Sequence, residues 1–355
     1  MGALADLGGW PAVLGHLVAH QDLTADTARA AMDEILAGEA SPAQLGAFVV
    51  ALRMKGEAVD ELNGMLDAML AAANLVTLPP DLAGRAIDVV GTGGDRSHSI
   101  NVSTLAALVV AGAGVPVCKH GNRAASSQCG AADLLEALGV AIELSPAGVA
   151  RCVEGAGIGF CLAPRFHPAL RHAGPARREM GIGTAFNVLG PLANPGRVRR
   201  MLLGVADVLL AERMLAVLKA HGSQHVLLVH GHDGLDELST TGPSTVFELR
   251  NGEVTTTVVD PRDLGLPLAQ PADLRGGDPA TNARLAGWVL DGHHGPHRDI
   301  VVLNAGASLV VGGAAASIEE GMVTAAAVLD DGRAAAALER LRTYSVAVVE
   351  GDGPG

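Results

Sequence analysis

Four polar segments of this chain combine residue types that chemistry requires. The first, Asp88-Val89-Val90-Gly91-Thr92-Gly93-Gly94-Asp95, runs a short apolar stretch straight into a glycine-rich loop. Glycines at a strand end let backbone N–H groups approach an anion with no Cβ in the way. The loop is not a dinucleotide fingerprint, because Arg96 stands where its last glycine belongs, and not a Walker A loop, because no Gly-Lys-Ser/Thr follows. A tight strand-to-helix turn would use the same residues. Shortly downstream, Asn101-Val102-Ser103-Thr104 opens an apolar helix. The free N–H groups of that first turn are either capped by Ser or Thr or left to hold phosphate with the help of the helix dipole.

The third segment, Lys119-His120-Gly121-Asn122-Arg123-Ala124-Ala125-Ser126-Ser127, gathers two cations, an imidazole, an amide and two hydroxyls after an apolar run. The chain has only three lysines beside 22 arginines, so a lysine in this loop points to a functional loop rather than a generic solvated one. Strand C-termini are where ligands sit in open α/β sheets. The fourth segment, Asp233-Gly234-Leu235-Asp236-Glu237, follows the apolar run His225–Val229. Adjacent carboxylates there suit Mg²⁺, which takes one or two carboxylates and completes its shell with water and phosphate oxygens. An acidic surface turn is the competing explanation. His167 and the pair Arg177-Arg178 lie on a helix-like stretch, where an arginine can bridge domains or clamp a substrate carboxylate. His293, His294 and His297 sit among Gly and Pro and read as an exposed turn.

These segments need a scaffold, and the pattern between them supplies one. Residues up to about 76 read as four helices near Trp10–His20, Thr24–Leu36, from Ser41, and Val59–Ala73. Ser41-Pro42-Ala43-Gln44 forms a capping box with Pro at the first helical position. After Leu78-Pro79-Pro80, short apolar runs alternate with helical stretches. The expected strands are Ala86–Val90, Val115–Cys118, Ile158–Cys161, Met201–Val205 and His225–Val229, followed by a hairpin of Thr245–Leu249 and Glu253–Val259 turned at Asn251-Gly252. The intervening helices are Ser103–Ala113, Ala131–Leu138, Pro146–Glu154, Val208–His221, Thr281–Leu290 and Ile318–Leu329. The class is α/β: a small all-helical domain plus a larger one with a mainly parallel central sheet flanked by helices. Residues 349–355 read as a frayed tail.

Composition narrows the function. The 355 residues carry 25 Lys+Arg against 38 Asp+Glu, a net charge of −13, and only five Phe, two Trp and one Tyr. Nucleic-acid binding draws on clustered cations and stacking aromatics, and neither is plentiful. The core must be built from Ala, Val and Leu. Cys118, Cys129, Cys152 and Cys161 show no CxxC spacing and read as reduced core residues. The N-terminus lacks a basic leader pattern, and the longest apolar run is too short for a membrane span. The expected location is the cytoplasm.

Taken together, DVVGTGGD, NVST, KHGNRAASS, AADLLEALG, APRFHPALRHAGPARRE, FNVLGPLANP and HGHDGLDE resemble, in order and spacing, the anthranilate phosphoribosyltransferases of tryptophan biosynthesis. The similarity extends to Asn304–Val311 and so covers nearly the whole chain. It implies transfer of a phosphoribosyl group from phosphoribosyl pyrophosphate to the amine of anthranilate, with Mg²⁺, two ions accompanying the bound donor. It also implies a homodimer paired through a helical domain of residues 1–77 and about 171–190, with 78–170 and 191–355 forming the donor-binding domain. Gly91, Gly94, Asp95, Ser99, Asn101, Val102, Ser103, Thr104, the stretch Lys119 to Ser127, and Ala131, where many members have Ser, would meet the donor. Gly91, Asn122, His167 and Arg177 would meet anthranilate, with Lys119, His120, Asn122 and Arg177 as the catalytic set. Ser103, Asp236 and Glu237 would hold metal. The rivals are a pyrimidine nucleoside phosphorylase, whose serine-glycine-arginine segment is missing where this chain has KHGNR, and a noncatalytic nucleic-acid-binding paralogue, which the charge opposes.

Overall fold

The computed structural model describes residues 4–124 and 127–352. Four helices open the chain: α1 (Gly9–Val18), α2 (Ala25–Ala37), α3 (Pro42–Lys55) and α4 (Val59–Ala71). Thr24 caps α2 by accepting from the Thr27 N–H, and Ser41 with Gln44 closes the expected capping box at α3. The turn into α4 is fixed by Glu61, which is fully buried and accepts from the Leu23 and Ala58 N–H groups and from Lys55 Nζ at 3.0 Å. Helices α2 and α4 pack closely because Gly64 has no side chain: a Cβ there would lie 2.0 Å from the Ala25 carbonyl oxygen.

Seven strands follow among the described residues: β1 (Asp88–Gly91), β2 (Val117–Gly121), β3 (Ile158–Leu162), β4 (Arg200–Gly204), β5 (His225–Gly231), β6 (Ser244–Arg250) and β7 (Glu253–Val259). Strands β1, β4 and β5 pair in parallel, β6 adds antiparallel to β5, and β7 antiparallel to β6. The parallel pair β2 and β3 joins this sheet through a bridge between Ile87 and Val117. The mainly parallel sheet of the sequence reading is therefore present, with a small antiparallel flank. Parallel strands connected through helices place their C-terminal ends along one rim, and all four polar segments gather there or beside it.

Side chains alternate across the sheet with the period of two that strands impose. Val89, Leu202, Leu227 and Val229 face one core, shared with the helices Val102–Gly112 and Pro296–Val311. Val90, Met201, Leu203, Val226 and Leu228 face a second core, which continues through the helices Ala211–Ala220 and Ala185–Leu192 into α3 and α4. The helices Gly174–Met180 and Ala185–Leu192 pack back onto α3 and α4. The bundle is thus fused to the sheet through apolar contact, and not only tethered by a linker.

Three features differ from the sequence expectation. Pro296–Val311 is a helix, with every residue from Ile300 to Leu309 buried; an element buried on all sides has no polar face to reveal its period. His297 lies in its first turn, while His294 sits just before it with Nδ1 2.9 Å from Arg298 Nη1. A C-terminal helix, Arg333–Asp352, runs through most of the stretch read as a frayed tail. The four cysteines are free and buried, as expected. No helix among the described residues is long and apolar enough to cross a membrane.

The close approach of α2 and α4 is testable. Alanine is favoured over glycine inside a helix by about 1 kcal/mol, yet Gly64→Ala is expected to lower stability by about 1–3 kcal/mol through overpacking. Urea unfolding measures this, and an unchanged or raised midpoint would show that the two helices part without cost.

Candidate active site

The rim of the sheet is organised around Asp236 and Glu237, both buried just beyond the C-terminal end of β5. Asp236 Oδ2 accepts from the Gly93 N–H at 2.7 Å, and Glu237 Oε1 accepts from the Ser103 N–H at 3.2 Å. The glycine-rich loop and the first turn of helix Val102–Gly112 are therefore each tied to one carboxylate. Gly91 makes this possible in a way its spacing did not reveal: a Cβ there would lie 2.2 Å from Asp236 Oδ2, so its bareness makes room for a carboxylate of this chain. Gly204 at the end of β4 does the same for the Asp236 backbone, where a Cβ would sit 1.6 Å from the carbonyl oxygen. Gly93 and Gly94 have positive φ of 69° and 85°, and a Cβ on either would meet nothing within 4 Å. The space beside them is open, while the Gly93 N–H itself is taken by Asp236.

Lys119 enters the same cluster from β2. Its Nζ donates to the Val89 carbonyl and lies 3.3 Å from Ser103 Oγ. Burial holds its pKa down, opposed by the charges of Asp88, Glu237 and Asp236. Burial pushes Asp236 up to about 7, with the nearby Asp95 adding repulsion. Glu237 is raised well above the carboxylate range, first by burial and then by Asp236. The cluster holds more carboxylate than Lys119 can neutralise, and its oxygens are hard donors. Among the described residues no group of three or more His, Cys, Asp or Glu side chains forms a ready-made metal cage. Two crowded carboxylates and the Ser103 hydroxyl fit Mg²⁺, which completes its shell with water and phosphate oxygens.

The opposite face of β2 carries His120. Its ring centroid lies 5.2 Å from that of His167, whose Nε2 is 2.8 Å from the Ala193 carbonyl oxygen. Burial, then His167, pushes His120 down to about 3, and burial lowers His167 as well, so the pair is uncharged at neutral pH. Arg177 lies half-buried with its guanidinium 4.9 Å from the Phe186 ring centroid, and loss of solvent lowers its pKa.

Other expected site residues sit further from this centre or serve the loop itself. Asn101 is the residue before helix Val102–Gly112, but its side chain does not cap it, and Ser103 and Thr104 lie inside the first turn. The simple capping explanation of NVST is thus excluded, and the amide is directed to the Cys129 carbonyl at 3.0 Å. Ser99 forms a backbone bridge with Arg275, and its Oγ is 3.2 Å from Ser97 Oγ. Arg123 is turned onto Asp133 and Glu136, at 3.1 and 2.7 Å, on the short helix that Ala131 begins, and Asn122 is exposed. Ala125 and Ser126 lie outside the described residues.

The comparisons with known proteins fall on the same ground. Residues 11–73 match the glycosyl transferase family helical bundle domain, and residues 83–335 match the glycosyl transferase family a/b domain. The chain is 51% identical to an anthranilate phosphoribosyltransferase of Saccharopolyspora erythraea over 98% of its own length and 99% of that protein. The chain belongs to the anthranilate phosphoribosyltransferase family. The crystal structure of the Thermus thermophilus member superposes with a TM-score of 0.88 at 40% identity, covering 94% of this chain and 99% of that one. The Saccharomyces cerevisiae member, solved in complex with PRPP and Mg, gives a TM-score of 0.87 at 28% identity and covers 95% and 98%.

Sequence reasoning assigned no role to the buried residues that hold these groups in place. Asp88 Oδ1 accepts from the His120 N–H at 3.2 Å and Oδ2 from Asn194 Nδ2 at 2.7 Å, while Asn194 Nδ2 also reaches the Cys118 carbonyl. One carboxylate thus fixes the peptide between Lys119 and His120 against the stretch after helix Ala185–Leu192; burial pushes it up to about 6. Asn304, fully buried in helix Pro296–Val311, pairs both backbone groups of Leu238, next to Glu237, at 2.9 Å each. The available signal was an amide inside the apolar run VVLNAGASLVV.

Asp236 also gives a pH prediction. A carboxyl whose folded pKa exceeds its unfolded value favours folding while protonated, and that contribution is lost as pH rises through the folded pKa. Without metal, wild type should therefore lose stability relative to Asp236→Asn between pH 5 and pH 8, by on the order of 2–4 kcal/mol. Urea unfolding of both proteins in EDTA at the two pH values measures the difference, and a gap that stays constant would contradict the buried, repelled state of Asp236.

Proposed function

We propose that this enzyme transfers the 5-phosphoribosyl group from phosphoribosyl pyrophosphate to the amine of anthranilate, giving N-(5-phosphoribosyl)anthranilate and pyrophosphate, in tryptophan biosynthesis. The observation that carries the reading is the joint one: near-full-length membership of the family, and a sheet rim on which the loop backbone, a helix N-terminus, a lysine and two acidic side chains converge.

In the reaction the bond between ribose C1 and the pyrophosphate oxygen breaks with its electron pair leaving on pyrophosphate, and the amine nitrogen bonds to C1. The amine proton leaves to water or pyrophosphate. The protein's task is to stabilise the departing anion and to hold a neutral aryl amine in line. The open backbone at Gly93 and Gly94, together with Asp95, Ser99 and Asn101 to Thr104, receives the pyrophosphate and ribose, and Lys119 adds positive charge beside them. Asn122 and the rest of the loop to Ser127, with Ala131 at its far side, enclose the donor. Arg123, matched by two carboxylates, orders this loop more than it charges it. Mg²⁺ supplies charge that offsets the phosphates and the leaving group; Ser103 would hold one ion, with Asp236 and Glu237 holding a second.

The acceptor lies on the other face of β2. Arg177 takes its carboxylate, and the cation resting on Phe186 has no carboxylate partner among the described residues, which suits an incoming anion. Asn122 and Gly91 meet the ring from the donor side. His120 and His167, both neutral, line its path without adding charge that would compete for the carboxylate. Residues 1–77 with about 171–190 form the helical domain in this reading, 78–170 and 191–355 the donor-binding domain, and the helical part pairs two copies in a cytoplasmic homodimer.

The activity test is loss of anthranilate fluorescence on mixing protein, phosphoribosyl pyrophosphate and Mg²⁺, with pyrophosphate release followed in parallel. Loss that needs all three and matches pyrophosphate supports the reading; a folded protein that binds the donor without loss overturns it. Arg177→Ala is expected to raise the anthranilate KM by an amount worth about 2–5 kcal/mol, and an unchanged KM removes Arg177 from the acceptor site. Asp236→Asn combined with Glu237→Gln should abolish Mg²⁺-dependent turnover while circular dichroism stays that of wild type; full turnover would make the acidic pair structural.

A further inference from the structure

A chain of amides connects two parts of the donor site to a helix that no motif includes. Asn282 is buried near the start of helix Pro279–Leu290. Its Oδ1 accepts from the Gly277 N–H at 2.7 Å, and its Nδ2 donates to Asn101 Oδ1 at 2.8 Å. Asn101 Nδ2 then donates to the Cys129 carbonyl at 3.0 Å. The relay is polarised from both ends: a backbone N–H, which can only donate, fixes which way Asn282 faces, and a backbone carbonyl, which can only accept, fixes Asn101. The two assignments agree, so each amide has one orientation that satisfies its neighbours.

The surroundings tighten this arrangement. A Cβ on Gly276 would lie 2.5 Å from Asn282 Oδ1, so the 276–277 segment wraps the amide closely. The same segment runs against the stretch between the glycine loop and helix Val102–Gly112: Ile100 N–H donates to the Leu274 carbonyl at 3.0 Å, and Gly276 N–H to the His98 carbonyl at 2.9 Å. Cys129 stands at the far end of the loop that follows β2, and Asn122 and Gly130 are its other anchors through the Ala132 N–H and Asp133. Asn101 does not cap its own helix, so its amide is free to join the two donor segments.

We infer that Asn282 is a positioning residue for the phosphoribosyl donor: by orienting the Asn101 amide it holds the N-terminus of helix Val102–Gly112 and the loop ending at Cys129 in the spacing the donor requires. The inference rests on the proposed donor site. Asn282 itself need touch no substrate, and it lies on an element for which neither the motifs nor the acidic cluster predict a role.

Asn282→Asp tests it with little change in volume. The acceptor for Gly277 is kept, but an oxygen now faces Asn101 Oδ1; turning Asn101 over to donate puts its oxygen against the Cys129 carbonyl. With the new carboxyl ionised, which running the assay up to pH 9 secures, some bond of the relay must fail in either arrangement. The expected result is a rise of about tenfold in the KM for phosphoribosyl pyrophosphate, as a buried polar group is left unsatisfied, with the anthranilate KM within about twofold of wild type. Val289→Ala, a cavity in the same helix away from the relay, should lower thermal stability and leave the donor KM unchanged. Asn282→Ser read the same way covers an aspartate variant that does not fold. An unchanged donor KM, an equal rise in both KM values, or the same donor effect from Val289→Ala would each overturn the proposal. Wild-type transfer is measured in the same assay, so failure of the activity itself is told apart from failure of the relay.

Discussion

Crowded, buried charge is the constraint on which the rest of this structure depends. Asp236 and Glu237 lie side by side out of water, Asp95 adds to their repulsion, and a single lysine faces them from β2. Such groups are expensive unless paired, hydrogen-bonded or neutralised. The fold supplies the hydrogen bonds from backbone at Gly93 and Ser103, and that choice dictates the sequence around them. Gly91 and Gly204 must lack side chains for Asp236 to fit, and Asn304 must present an amide to Leu238 for the acidic turn to hold its shape. The remaining charge imbalance is what a divalent cation and an anionic donor together would satisfy. An acidic protein can thereby bind two anionic substrates, because local charge at the rim outweighs the sum over the surface.

A second consequence concerns the two faces of β2. Alternation along the strand sends Lys119 toward the carboxylates and His120 toward His167. In the proposed function donor chemistry and acceptor binding would be separated by a single peptide, and Asp88 fixes that peptide against Asn194, beyond the helices that pack on the bundle. The neutral histidine pair leaves the His120 face of the strand uncharged, in contrast to the dense charge on the Lys119 face. The same strand therefore sets both electrostatic environments.

Much of this was legible in the sequence. The helices of the bundle, the strands and the parallel pairing followed from period, capping and turn residues, and the polar motifs fell at strand ends as expected. The residues missed have a common physical character. Helix Pro296–Val311 is buried all round and shows no amphipathic face. Asp88, Asn194, Asn282 and Asn304 act through partners up to 181 positions away in sequence, so no local pattern marks them. Gly91 looked like an opening for an anion because sequence spacing cannot show that Asp236, from another strand end, occupies the space. Arg123 is one of two cations in its segment, and the sequence does not show that Asp133 and Glu136 on the following helix neutralise it.

A cation that binds at Asp236 must displace the proton that burial and the nearby Asp95 hold there below about pH 7. Calorimetric titration of Mg²⁺ into metal-free protein, repeated in two buffers of different ionisation enthalpy, counts the protons released directly. The account predicts release on the order of one proton per bound site at pH 6, falling away as pH rises above about 7, because metal ligands must be deprotonated. Binding at pH 6 with no proton release would contradict it, since Asp236 would then be ionised before the metal arrives.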